Sequence, residues 1–374
     1  MIIHGICKFC YLGWSIYCNW FWKKGTSTDL TLFDRKEAEK IYTFVTPNGF
    51  PEKIQPLFQA IALAEYVIFH VNALDKFTGE QILALDALGK KEGILSHSYD
   101  VDEARLDLMI KETVIEGYKK VEQDKIKEEL ANFTVAKKDG NTSIVIDHTF
   151  DVKGVGTVAL GKVLSGKITQ YDKIQHYPSE IEAMVKSIQM HDDDVKESIS
   201  PARVGLSLKN IKHDEITRGD VLSNDTSIKT VTEVTIDFKQ NQFFKATLAE
   251  NQMCLVSIGL QIKAAKFASV SPMKLIFEKP VIIMPEDVCV LLKPESNTVR
   301  IIGSGVPQWI LHEHVQSVQI VVQRSLNDLI LRVSKSDVLN VIGNTRYRLL
   351  SYNTFIHFMW YKFVKLLNKV FINI

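Results

Sequence analysis

IVIDHTFDVKGVGTVALGKVL, residues 144–164, and ITRGDVL, residues 216–222, decide how this chain folds. The first run alternates apolar and polar residues, breaks at two glycines (Gly154 and Gly156) and resumes as a second alternating run. A period of two puts successive side chains on opposite faces of a strand. Glycines between such runs mark a tight turn or a close packing contact. Short strands with turn residues between them predict a small closed β-barrel.

The wording is more specific than the pattern. F-x-V-K-G-x-G-T-V (Phe150 to Val158), followed by I-x-R-G-x-V-L, resembles the second-domain barrel of translational GTPases, with elongation factor Tu and the selenocysteine-specific elongation factor as nearest matches. A third block begins near Thr230 with TVTEVTIDF, MCLVSIGL, KLIFEKPVIIMPEDVCVLL and TVRIIGSG. Its E-x-P-V and R-I-I-G-x-G stretches resemble the third-domain barrel of the same family. Pro280 and Pro285 bracket VIIM, which places that run at a barrel edge or corner. The resemblance covers residues 133–306.

At 374 residues, 46% hydrophobic and 24% charged, the chain has the composition of a globular protein of two or three domains. A net charge of +1 carries no global nucleic-acid signature, so any RNA contact is local. Five cysteines make no disulfide framework, and Cys254 and Cys289 lie in apolar runs that read as buried thiols. Residues 1–22, MIIHGICKFCYLGWSIYCNWFW, are crowded with Cys, Trp and Tyr and lack the parts of a signal peptide. They read as an aberrant leader, with a reading-frame shift as its origin. Cys7-x-x-Cys10 has no second ligand pair, so neither zinc nor redox chemistry is assigned to it. At the other end, residues 311–374 read as an extension of uncertain structure. Within it, Lys362, Lys365 and Lys369 fall at helical spacing among aromatics and aliphatics. Translated non-native frame is preferred there to an amphipathic membrane-surface helix.

Residues 23–132 alternate strands (29–33, 41–46, 66–71, 93–95) with helices (52–64, 79–88, 101–122), the last capped by Asp100 or Asp102. That order predicts an α/β layer on a mainly parallel sheet. The strand-rich remainder divides into barrels at 133–228 and 229–310. The expected architecture is multidomain: an α/β layer resembling a G domain, then two β-barrels.

The same resemblance supplies positions for nucleotide chemistry, and this chain departs at each. The family's D-T-P-G-H segment uses its aspartate on magnesium, its glycine amide on the γ-phosphate and its histidine on the attacking water. The matching residues here are Val45, Thr46, Pro47, Asn48 and Gly49. The guanine-reading Asn/Thr-Lys-x-Asp loop is matched by His97, Ser98, Tyr99 and Asp100, of which only Asp100 survives, as a weak remnant. No G-x-x-x-x-G-K-[ST] stretch occurs. Gly25-Thr26-Ser27-Thr28 lacks the first glycine and resembles the first-switch region instead.

Other clusters are discounted. His191-Asp192-Asp193-Asp194 reads as a solvated loop rather than a metal site. Asp147 and His148 are neighbours in a strand and face opposite sides. Arg203, Lys209, Lys212 and Arg218 could form a basic patch, but Arg218-Gly219 reads as part of the barrel's closing strand.

The resemblance implies an intracellular translation-related protein with tRNA, the ribosome or other translation proteins as partners, the second barrel being the family's holder of the aminoacyl end of tRNA. The expectation is a non-catalytic binding or regulatory paralogue with no catalytic residue, metal or cofactor. The alternative is a GTP- and magnesium-dependent elongation factor with altered contacts.

Overall fold

The computed structural model describes residues 6–12, 23–37, 40–308, 321–325 and 328–332. Residues 1–308 form one compact unit and residues 309–374 another. The first unit begins with a seven-stranded sheet. Its strands are β1 (Ile6–Leu12), β2 (Lys23–Ser27), β3 (Thr31–Glu37), β4 (Lys40–Thr46), β5 (Tyr66–Val71), β6 (Gly93–His97) and β7 (Lys119–Lys120). They lie in the order β2-β3-β4-β1-β5-β6-β7. From β4 to β7 every pairing is parallel, and β2–β3 and β3–β4 are antiparallel. Helices α1 (Gln55–Leu63), α2 (Lys76–Ala87), α3 (Glu103–Ile110) and α4 (Ile126–Ala131) complete the layer.

Local sequence explains these elements. All six residues of β5, YVIFHV, are buried, as a parallel strand covered on both faces requires. Pro56 opens α1, where its missing N–H costs nothing. Asp75 caps α2 by accepting from the N–H groups of Phe77 (2.9 Å) and Thr78 (2.8 Å).

Two expectations for this layer are corrected. Residues 1–22 are not wholly a leader, because Ile6–Leu12 forms the central strand, paired with both β4 and β5. In an extended strand the Cα atoms of Cys7 and Cys10 stand about 10 Å apart, so their spacing is not that of a chelating turn. The helix expected over 101–122 stops at Ile110. Glu112 has a φ of 62°, a 3-10 turn follows over Val114–Gly117, and the chain then adds β7 at the sheet edge.

The first barrel uses β8 (Ser143–Val152), β9 (Gly156–Ser165), β11 (Lys173–Tyr177), β12 (Ile181–Met190), β15 (Arg203–Lys209) and β16 (Val221–Ser223). The order β11-β16-β8-β9-β15-β12 closes through β11–β12 pairing. Between these strands, β10 (Lys167–Thr169) pairs with β14 (Glu197–Ile199), and β13 (Asp193–Val195) pairs antiparallel with the end of β12. Ile144, Ile146, Val163, Val185, Leu206 and Leu222 fill the interior. Gly154 and Gly156 have φ of 84° and 93°. No atom stands within 4 Å of a Cβ placed at either, so they are turn glycines with no packing role.

The second barrel orders β17 (Lys229–Gln240), β18 (Met253–Ile258), β19 (Gln261–Val270), β20 (Met273–Ile283), β21 (Cys289–Leu292) and β22 (Ile301–Pro307) as β17-β20-β19-β18-β21-β22, and closes. The register against β17 steps from Val231–Val281 to Glu233–Ile276, so Pro280 sits in a bulge at a barrel corner. A Cβ on Gly303 or Gly305 would stand 2.3 Å from the Lys239 carbonyl oxygen or 2.5 Å from that of Asp237, which is why the closing strand reads G-S-G. Cys254 and Cys289 are buried free thiols, and burial pushes the Cys254 thiol up to about 12. The expected order, an α/β layer followed by two barrels, is what the structure shows.

In the second unit, β23 (Val321–Ser325) and β24 (Asp328–Arg332) form an antiparallel pair. Residues 355–374 and their lysine stripe lie outside the described residues. Among the described residues no helix is long and apolar enough to cross a membrane.

Candidate functional site

In an open parallel sheet, ligands bind at the carboxyl ends of strands where the chain order reverses. Here that point is the end of β1, flanked by the ends of β4, β5 and β6. A phosphate loop would follow β1, but residues 13–22 read GWSIYCNWFW, with one glycine and no lysine.

The end of β4 is bonded inward. Val45, where the family has its magnesium-linked aspartate, is 2% exposed in the apolar core. The Asn48 N–H donates to the Thr46 carbonyl (3.2 Å), and its side-chain amide donates to Thr31 Oγ1. The Gly49 N–H donates to the Asp29 carbonyl at 3.0 Å. A Cβ on Gly49 would stand 2.8 Å from Pro56 Cγ, so a histidine there requires the proline ring to move.

The end of β6 is arranged differently. The Ser98 N–H donates to the Val71 carbonyl (2.9 Å), and Ser98 Oγ donates to Asn72 Oδ1 (3.3 Å). Tyr99 is 91% exposed. Asp102 caps α3 by accepting from the Arg105 N–H at 3.1 Å, so the cap is Asp102 and not Asp100. Asp100 is exposed, in the turn just before that cap. His70, behind this loop, is buried, and burial together with the nearby His97 lowers its pKa and favours the neutral ring.

The polar side chains with the best geometry lie between the layer and the barrels. Arg218 donates from Nη1 to both oxygens of Asp29 (2.8 and 2.9 Å) and to Gln59 Oε1 (3.2 Å), and from Nε to the Asp147 carbonyl (3.1 Å). Burial works to raise the Asp29 pKa, but the bonds from Arg218 and Thr28 and the guanidinium charge outweigh it and hold the carboxyl below its usual range. Lys162, 5% exposed, donates to the Leu63 carbonyl at the end of α1 (2.8 Å) and pairs with Glu65. Arg300 of the second barrel pairs with Glu80 on α2 through Nε (2.9 and 3.1 Å) and Nη2, and donates to the Pro51 carbonyl at 2.8 Å.

The supposed basic patch does not form. Arg203 is turned inward onto Asp147 (2.9 and 3.0 Å), and Arg218 belongs to the turn before β16, not to the closing strand. Lys209 and Lys212 remain exposed. Asp193 and Asp194 lie in β13, with Asp193 paired to Lys36 at 2.5 Å. Among the described residues no group of three or more His, Cys, Asp or Glu side chains could hold a metal ion. Sequence reasoning missed Gln59, Glu80, Lys162 and Arg300. Each is a polar residue inside an otherwise apolar run (LFQAIAL, VALGKVL) or beside one, which was the available signal.

One carboxyl of the second barrel has a pH consequence. Asp287, in the β20–β21 loop, accepts from the Met284 N–H (2.7 Å) while burial and the Glu286 charge push it up to about 6. The folded state therefore holds this proton more tightly than the unfolded chain, whose value is near 3.8. Its stabilising effect is complete below pH 4 and lost as pH rises to 6, a change of about 2–3 kcal/mol. Asp287→Asn is expected to melt higher than the parent at pH 7.5 and close to it at pH 4.5. Equal melting differences at the two pH values would exclude this role.

Residues 156–223 match the family described as Elongation factor Tu domain 2. An uncharacterized protein of Methanocaldococcus jannaschii is 35% identical over 288 residues, covering 76% of this chain and 93% of that protein. The selenocysteine-specific elongation factor of the same organism is 28% identical over 264 residues, and the match spans 64% of this chain and 56% of that factor. Among solved structures, translation elongation factor SelB from Methanococcus maripaludis, in complex with the GTP analogue GPPNHP, aligns with a TM-score of 0.66. That alignment has 18% identity and covers 82% of this chain and 79% of SelB, so it speaks to the fold.

Proposed function

The chain belongs to the superfamily of elongation factor Tu-like and SelB-like translational GTPases, and from that membership we propose that it serves translation as a binding protein without GTPase chemistry. The observation that carries the reading is the end of β4. Val45 is sealed in the core, the Asn48 amide is bonded to Thr46, and Gly49 is packed against Pro56. A magnesium-linked carboxylate, a γ-phosphate sensor and a water-orienting histidine all lack their side chains or donors there. On this reading neither GTP nor magnesium is a cofactor, and the partner is tRNA, the ribosome or a protein associated with them.

The test is retention on ribosomes and on aminoacyl-tRNA with and without GTP and magnesium-matched buffer. Binding to one of them that is equal within about twofold in both conditions is expected. Retention that appears only with GTP overturns the reading. The alternative, a GTP-dependent elongation factor, is favoured by one observation: Asp100 stands exposed where the family places its base-reading carboxylate. It predicts GTP-dependent retention that Asp100→Asn abolishes.

A further inference from the structure

We propose that residues 1–308 hold one fixed arrangement of the α/β layer and both barrels, independent of nucleotide, with Gln59 as the residue that ties the three together. The proposal rests on the reading of the altered nucleotide site, because a bound nucleotide is what such an arrangement would otherwise answer to.

Gln59 lies midway along α1 and is 7% exposed. Its Nε2 donates to the Leu260 carbonyl of the second barrel at 2.9 Å, and its Oε1 accepts from Arg218 Nη1 of the first barrel at 3.2 Å. One buried amide thus satisfies both ends on different domains. Arg218 is itself held in place. Asp220 accepts from the N–H (2.7 Å) and hydroxyl (3.1 Å) of Thr217, closing the turn that presents Arg218. Behind it the fully buried His176 lies with Nε2 3.2 Å from Asp220 Oδ2 and Nδ1 2.7 Å from Ser179 Oγ. The series Ser179, His176, Asp220 resembles a charge relay in composition. Asp220 is occupied by the turn, and the relay serves to position Arg218.

The two barrels meet directly at the next residue. Gly219 has a φ of 94°, and a Cβ there would stand 2.8 Å from the Gln261 backbone nitrogen and 2.8 Å from its Cγ. Gln261 cannot yield, because its side-chain amide donates to the Ile282 carbonyl (2.7 Å) and accepts from the Ile282 N–H (2.9 Å). Lys162 holds the far end of α1, and one apolar cluster runs from Leu57 and Ile61 of that helix to Val221 of the first barrel and Leu292 of the second.

A switch needs two arrangements close in free energy, and a ligand biases them only through different affinities for each. Shifting α1 would strand the Gln59 amide and the Lys162 ammonium, and moving the whole layer would break the Arg218–Asp29 pair as well. Buried polar groups without partners are costly enough to make the second arrangement unpopulated.

The experiment is amide hydrogen exchange of residues 55–63 in the full chain, alone and with GTP or GDP plus magnesium, with nucleotide binding measured on the same samples. Slow exchange that is identical in all three states is expected. Gln59→Ala should speed exchange in this helix about tenfold, and Arg218→Lys by a smaller factor, with the sheet strand β5 unchanged. Fast exchange without nucleotide, a nucleotide-dependent change, or variants that exchange like the parent would each overturn the proposal. Nucleotide binding with unchanged exchange would leave the fixed arrangement standing and remove the reading of the altered site. Absent binding with fast exchange would do the reverse.

Discussion

Arg300→Leu is expected to destabilise the first unit by about 3–5 kcal/mol, the usual consequence of removing one partner of a buried ion pair. Glu80 is 5% exposed, and the substitution removes the guanidinium that bonds both of its carboxylate oxygens. The Pro51 carbonyl loses its donor at the same time. Most of the loss comes from the stranded charge rather than from the pair itself, so Glu80→Leu combined with Arg300→Leu should recover most of the stability. Urea denaturation of the parent, the single variant and the double variant separates these effects. A loss below about 1 kcal/mol in the single variant would mean that water reaches Glu80 and that the barrel is not sealed against α2.

The barrels were legible because each strand has one face on a core. Ile144, Ile146, Ala159 and Val163 enter the barrel interior at alternate positions, whereas Val145, between two of them, is buried in the cluster shared with the α/β layer. The central strand was not legible in that way. ICKFCYL has a parallel neighbour on each edge, but as a sequence it shows no clean alternation that sets it apart from the rest of residues 1–22. The helix over 101–122 was overextended because Val114, Tyr118 and Val121 continue helical spacing, whereas the backbone departs from helix at Glu112. At the candidate site the substitutions at Val45, Asn48 and Gly49 were readable as residues, but their consequences were not. Only the fold shows Gly49 against Pro56 and Asn48 bonded to Thr31. Pairings such as Arg300 with Glu80, 220 positions apart, leave no local trace.

Loss of GTP binding is the larger of the expected effects, and the magnitudes say why. Micromolar affinity corresponds to about 8 kcal/mol, and a hydrogen bond to a charged group contributes about 1.5–3 kcal/mol. A phosphate cradle, its lysine and a magnesium-linked carboxylate therefore account for most of a nucleotide's affinity. In this chain the stretch after β1 has no lysine and the residue at the end of β4 is the buried Val45. Restoring one residue does not restore the site. Val45→Asp would bury a carboxylate in the core, and Gly49→His would drive into Pro56. On the proposed reading Asp100 alone is not expected to supply the difference. The most direct measurement is a titration of the full chain with a fluorescent GTP analogue in magnesium buffer. No saturable binding up to about 1 mM is the result predicted here, and magnesium-dependent binding at micromolar Kd would contradict it.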